Sequence, residues 1–155
     1  MRHLLIDTRE KPKAIQPILN YFDSEGITYS STKLWFGDYM DYSKPNIVID
    51  RKQNIAELAK NVTADRSRFV AELERAKSVG AKLVILVEQN RFKDRDNWIH
   101  VTDISDLLLW SNPHTKIRGE KVFRVLSSLV YKYNISVVFC DRRTTGKKIL
   151  EIIYG

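Results

Sequence analysis

Ile47-Val48-Ile49-Asp50-Arg51-Lys52 decides how this chain is read. Three apolar β-branched residues run straight into three charges, with no turn residue between them. Successive side chains of an extended segment alternate between faces, so Asp50 and Lys52 project together while Arg51 points the other way. Lys44-Pro45-Asn46 immediately upstream is a turn, and the run that follows predicts a strand over 47–52. Gly37-Asp38-Tyr39 leads into another short strand, over 39–42. If the two strands form a hairpin, Asp38 comes beside the far end of its partner, near Asp50. Two carboxylates and an ammonium then converge at one end of a sheet.

The rest of the chain supplies the frame. His3 to Asp7 reads as a short buried strand ending in the charged turn Thr8-Arg9-Glu10-Lys11. Pro12 suits the first turn of a helix. Ile15, Ile18, Leu19 and Phe22 continue it at helical spacing, and Gly26 is a natural stop. Thr28 to Trp35, rich in β-branched and aromatic residues, predicts a strand. Asn54 to Val62 predicts a short helix capped by Asn54. A longer helix over Arg66 to Val79 turns Phe69, Val70, Leu73 and Ala76 inward and ends at Gly80. Lys82 to Val87 is a buried strand of the kind parallel sheets favour. Residues 89–101 are polar and read as a loop, and Asp103 to Trp110 as helical. Arg118 to Tyr133 is the clearest helix, Ile135 to Phe139 the last buried strand, and Thr144 to Tyr154 a closing helix. The order predicts an α/β fold with a mixed central sheet flanked by helices. Such a fold hosts many activities.

Composition sets bounds on function. The 155 residues, 43% hydrophobic and 29% charged, suit one globular domain over 1–155. There is no repeat, low-complexity tract or Gly/Ser linker. No apolar run approaches the roughly 20 residues that span a bilayer, so no membrane role is expected. The apolar run at the N-terminus is too short for a signal peptide. Cys140 is the only cysteine, which excludes an internal disulfide and fits a reducing cytoplasm. His3, His100 and His114 lack zinc-ligand spacing. The net charge of +7 favours a polyanionic partner, because Lys and Arg contacts to phosphate release condensed counterions.

Asp38, Asp50 and Lys52 have the chemistry of phosphodiester hydrolysis. Carboxylate oxygens suit a hard cation such as Mg²⁺, which offsets charge on the phosphoryl oxygens and activates a water. A neighbouring lysine orients that water or contacts the scissile phosphate. An acid-x-Lys triplet arises by chance about once in a chain of this composition. It occurs once here, so position carries more than presence, and a strand merely emerging into solvent is the competing reading. Asp7-Thr8-Arg9-Glu10 is open in the same way. It is either a solvated loop whose acids favour the next helix N-terminus, or it brings Asp7 to the metal and Arg9 to phosphate.

Three segments taken in order carry a resemblance: Leu5-Ile6-Asp7-Thr8-Arg9-Glu10, then Trp35-Phe36-Gly37-Asp38-Tyr39, then Ile49-Asp50-Arg51-Lys52. Together they resemble the nuclease domain of the XPF/Hef structure-specific endonucleases, known by Asp-x-Arg-Glu, Gly-Asp-Tyr/Phe and Glu-Arg-Lys segments in that order. Asp65-Arg66-Ser67-Arg68-Phe69, with Glu72-Leu73 and Arg75, is similar to the helix that follows the family's active site. The later strands and helices match in order, so the resemblance covers nearly the whole chain.

The resemblance implies a restriction-endonuclease-like three-layer fold. It also implies a Mg²⁺- or Mn²⁺-dependent endonuclease acting on branched or junction DNA in repair or recombination. Asp7, Asp38 and Asp50 become metal ligands, Lys52 is catalytic, and Arg9 and Glu10 form the functional Arg-Glu pair. Arg9, Arg51, Arg66, Arg68 and Arg75 are the expected DNA contacts. Two departures stand out. Asp50 replaces a glutamate, and Ala56, followed by Glu57, stands where the family usually has an aspartate. No helix-hairpin-helix segment follows Gly155, as in the stand-alone bacterial and phage versions, so a protein partner supplying DNA affinity is implied. The family dimerises through its C-terminal part, where Trp110 and Phe123 belong to the core or to an interface. A catalytically silent DNA-binding or assembly module is the alternative, opposed by the retained acids and Lys52.

Other basic features are less specific. Arg66, Arg68, Arg75 and Lys77 either track a phosphate backbone or form a solvated helix face paired with Glu72 and Glu74. Arg91, Lys93, Arg95 and Trp98 suit charge and stacking contacts with DNA, or an ordinary basic surface loop. Residues 142–148 lack the residue order of a phosphate-binding P-loop.

Overall fold

The computed structural model describes all residues from Met1 to Gly155. Its frame is a six-stranded mixed sheet. β1 (His3–Asp7) runs parallel to β2 (Thr28–Thr32) on one side and antiparallel to β3 (Tyr39–Asp41) on the other. β3 is antiparallel to β4 (Ile47–Lys52), and β5 (Lys82–Val87) and β8 (Ser136–Phe139) continue parallel to β4. The spatial order is β2-β1-β3-β4-β5-β8.

Side-chain alternation divides the core between the two faces. Leu4, Ile6, Tyr39 and Ile49 pack with α1 (Gln16–Ser24) and α5 (Thr145–Tyr154). Val48 and Ile85 pack with α2 (Ile55–Val62), α3 (Arg66–Ser78) and α4 (Gly119–Tyr133). The result is three layers, helices on both sides of the sheet. No helix is long and apolar enough to cross a membrane.

The hairpin of β3 and β4 forms as the sequence predicts, with Tyr39 opposite Ile49. Its register sets the site. The Asp38 N–H donates to the Ile49 carbonyl at 2.7 Å, and the Asp7 N–H to the Asp38 carbonyl at 2.9 Å. Residues 7, 38 and 50 therefore lie abreast at one end of three adjacent strands. Asn54 caps α2 by accepting from the Glu57 N–H. Gly26 and Gly80 follow α1 and α3 in the left-handed region that favours glycine.

Three expectations are corrected. The first helix begins at Gln16 with Pro17 in its opening turn, and the residues around Pro12 form turns. β2 stops at Thr32, because the Leu34 N–H leaves the ladder for the Asp7 carboxylate. Residues 89–101 hold a hairpin, β6 (Arg91–Asp94) with β7 (Asn97–His100). Its turn contains no glycine; Arg95 adopts the left-handed conformation there, at φ 59°. The segment before Trp110 is helical as expected, as a 3-10 helix over Ile104–Leu109.

Candidate active site

β4 presents Asp50 and Lys52 on the face covered by α3, with Lys52 Nζ 3.1 Å from Asp50 Oδ1. Both side chains are almost fully buried. The Lys52 ammonium also lies 5.5 Å from the centre of the Phe69 ring, a contact that favours the charged form. Asp38 joins them from the neighbouring strand, its Oδ2 accepting the Arg51 N–H at 2.7 Å. Glu72 reaches in from α3, accepting the Gly37 N–H at 3.0 Å and lying within hydrogen-bonding reach of Asp50. This group floors an open cleft of about 380 Å³, flanked by Arg9, Arg68 and Arg75.

Packing carboxylates together has an electrostatic consequence. Burial pushes the Asp38 carboxyl well above the usual range, and the charges of Asp50 and Glu10 push it further. Glu72 rises to about 8, through burial first and then through its contact with Asp50. Burial alone would lower Lys52; the charges of Asp50 and Glu72 outweigh it, so the ammonium is held more firmly than in water. The cleft lining thus mixes carboxylates and cations in equal number. Clustered oxygen donors with access to water fit a hard divalent cation. No three or more Asp, Glu, His or Cys side chains are arranged so that together they hold a metal ion. A Mg²⁺-type ion, held by one or two carboxylates and several waters, needs no such group.

On the other face of β4, Arg51 is clamped. Its guanidinium meets both Glu10 oxygens, at 2.6 and 2.9 Å, and pairs with Glu88 at the end of β5. Glu88 in turn accepts the Thr145 hydroxyl at 2.6 Å. The Arg51 side chain is only 7% exposed. These pairs outweigh the cost of its burial and strengthen its hold on the proton.

The model of the ERCC4 domain matches residues 6–152. The chain belongs to that family. No curated protein matches it in sequence. Its fold is similar to that of the XPF from Aeropyrum pernix in complex with DNA, with a TM-score of 0.66 and 18% identity over 98% of this chain and 63% of that one. A second structure of XPF from Aeropyrum pernix gives 0.66 and 18%, covering 97% and 62%. The chain spans just under two thirds of each. The fold is thus the restriction-endonuclease-like one that the sequence implies.

In this ERCC4 domain the expected site residues divide by placement. Asp38, Asp50 and Lys52 converge, and Arg9, Arg68 and Arg75 line the cleft. Asp7 stands apart from this lining. Its Oδ1 accepts the Leu34 N–H at 2.8 Å, and its Oδ2 accepts the Arg9 N–H and Nε–H at 2.9 and 2.5 Å. Burial would raise its pKa, but these hydrogen bonds prevail and hold it below the usual carboxylate range. Two strand spacings, about 10 Å, separate the Asp7 and Asp50 backbones. Arg51 and Glu10 also line the cleft and are paired with each other. The Arg51 guanidinium is buried, and Glu10 is engaged in holding it. Arg66 is exposed but lies outside the cleft lining. Glu57 lines the cleft, yet its carboxylate accepts the Gln53 N–H and helps cap α2.

Glu72 is the residue that sequence reasoning missed. Its signal is periodicity: Arg68, Glu72 and Arg75 recur at helical spacing, so one stripe of α3 faces the cleft.

Proposed function

We propose that this ERCC4 domain is a divalent-metal-dependent endonuclease hydrolysing phosphodiester bonds in branched or junction DNA. The observation that carries the reading is the convergence of Asp38, Asp50 and Glu72 on the Lys52 ammonium in an open, arginine-flanked cleft. Family membership supports it, as does the likeness to an XPF whose structure is a complex with DNA.

Asp38 and Asp50, with Glu72 beside them, would hold Mg²⁺ or Mn²⁺. When bound, the cation offsets charge on the phosphoryl oxygens and acidifies water. The chain's own residues do the rest. Lys52, fixed by Asp50 and kept charged, donates to the attacking water or to a non-bridging phosphate oxygen. Arg68 and Arg75 on α3, with Arg9 opposite, hold the flanking phosphates. Arg51 acts through its backbone, whose N–H sets the orientation of the Asp38 carboxylate. Asp7 keeps the loop after β2 against the cleft. A homodimer through the C-terminal half, where Leu108, Leu109 and Tyr131 are exposed, belongs to the same proposal. Sedimentation as a monomer at micromolar concentration would overturn that part.

The test is cleavage of labelled duplex, flap and four-way substrates with Mg²⁺, with Mn²⁺ or with chelator. Cutting that needs the metal and is lost in Asp38→Ala supports the reading. No cutting of any substrate, or equal cutting by Asp38→Ala, rejects it. DNA binding with neither cleavage nor cation binding would identify a silent module instead.

A further inference from the structure

Beside the cleft lies a second depression, of about 460 Å³, lined by Asp7, Thr8, Arg9, Lys33, Leu34, Trp35 and Arg75. Arg9 and Arg75 also line the cleft, so the two hollows meet across these side chains. Three of the lining residues are cations. The one acid, Asp7, already accepts three hydrogen bonds. Arg75 donates its Nε–H to the Trp35 carbonyl at 2.8 Å, which leaves its other N–H groups free for a ligand.

Trp35 sits on the rim with 61% of its surface exposed, between the buried residues Leu34 and Phe36. Its position is fixed. The loop is tied at Leu34 by Asp7, at Trp35 by Arg75 and at Gly37 by Glu72. The other exposed indole, Trp98, has Arg91 and Lys93 over its ring at 4.6 and 5.2 Å. The Trp35 ring has no such cover; its recorded aromatic neighbour is Phe36, tilted by 60° at 6.2 Å. A rigid, uncovered aromatic face next to Lys33 and the remaining N–H groups of Arg9 and Arg75 has the composition of a single-strand subsite.

We propose that this depression binds one unpaired nucleotide of the strand leaving the active-site cleft. The base stacks on Trp35, and the adjoining phosphate rests on Lys33 and Arg9. Within a duplex both faces of each base are covered by neighbours, so only an unstacked base can meet the indole. The site therefore takes single-stranded DNA next to the cut, which is the kind of strand a flap or fork supplies. This substrate preference rests on the nuclease reading; the stacking site does not.

Binding is measured by fluorescence anisotropy with a labelled oligothymidylate and with a blunt duplex, in chelator to prevent cleavage. Trp35→Ala is expected to weaken oligothymidylate binding by about 5-fold to 100-fold, with duplex binding unchanged. Trp35→Phe should recover part of the loss, and Trp98→Ala should retain wild-type affinity. Matching thermal melts of the variants show that the fold is intact. Wild-type oligothymidylate affinity in Trp35→Ala overturns the proposal. So does an equal loss on duplex and single strand, or a single-strand loss confined to Trp98→Ala. Flap cleavage by the wild type separates the two readings. Stacking without cleavage rejects the nuclease alone, and cleavage with an indifferent Trp35→Ala rejects the subsite alone.

Discussion

Replacing Glu72 with glutamine should flatten the way the metal-free protein responds to pH. Glutamine keeps an acceptor for the Gly37 N–H but removes one charge from the crowded end of the cleft. The folded protein holds the Glu72 proton up to about 8, whereas an ordinary glutamate releases it near 4.5. Between those values the folded state binds more protons than the unfolded chain, so stability falls as pH rises through the window. The full displacement corresponds to an upper bound of roughly 4–5 kcal/mol, and water entering the open cleft reduces it to about 2–3 kcal/mol. Asp38, raised by burial and by Asp50, acts in the same sense. The lowered carboxylates of Asp7, Asp41, Asp103, Asp106 and Asp141 lose their stabilising effect only as pH falls towards their folded values. A comparison between about pH 5 and pH 8.5 is free of them.

The assay is urea unfolding in chelator across that range. Wild type should lose about 2–3 kcal/mol towards the alkaline end. Glu72→Gln should give a flatter profile and exceed wild type at pH 8.5. Saturating Mg²⁺ should restore the alkaline stability of wild type and do less for the variant, which has lost a donor. Parallel wild-type and variant profiles would refute the reasoning, because the titrating group would then lie elsewhere.

Three more outcomes follow from the same geometry. Lys52→Met strands the buried Asp50 carboxylate, so it should lower the melting temperature, and it should lower the cleavage rate of the folded protein by about 100-fold or more, read in single-turnover assays. Arg51→Met strands Glu10 and Glu88 as buried unpaired charges, so the fold should lose about 3–5 kcal/mol in urea unfolding. Asp7→Ala leaves the Leu34 N–H without its acceptor and should cost about 1–3 kcal/mol, while Mg²⁺ affinity by calorimetry stays near wild type, in contrast to Asp50→Ala.

What the sequence shows of this site is what local rules determine. Period-two alternation puts Asp50 and Lys52 together, and the turn at Lys44-Pro45-Asn46 makes the hairpin that sets Asp38 beside them. Both are short-range inferences, and the structure has them. The same alternation also says that Arg51 faces the opposite way. Its burial follows only once Glu10 from the end of β1 and Glu88 from the end of β5 arrive on that side, which depends on the order of strands. Glu72 lies more than twenty residues beyond Asp50 and reaches it only because α3 packs back over β4. Asp7 projects from the expected row, but the expectation could not register that Leu34 would leave β2 and need an acceptor. The hairpin over 91–100 escaped because its turn lacks glycine and its strands are largely polar.

Asp38 links the two faces of the sheet at this point. Its carboxylate belongs to the cleft, yet the N–H that orients it comes from Arg51, whose side chain is locked on the far side between Glu10 and Glu88. Those two acids follow β1 and end β5, the strands on either side of the β3–β4 hairpin. The arginine therefore ties three strand ends together, and an acidic cluster of this charge density would otherwise tend to splay. In this chain the middle residue of Asp50-Arg51-Lys52 is best understood as a brace for the outer two. It orients the Asp38 carboxylate through the backbone of β4, and its guanidinium is buried between Glu10 and Glu88.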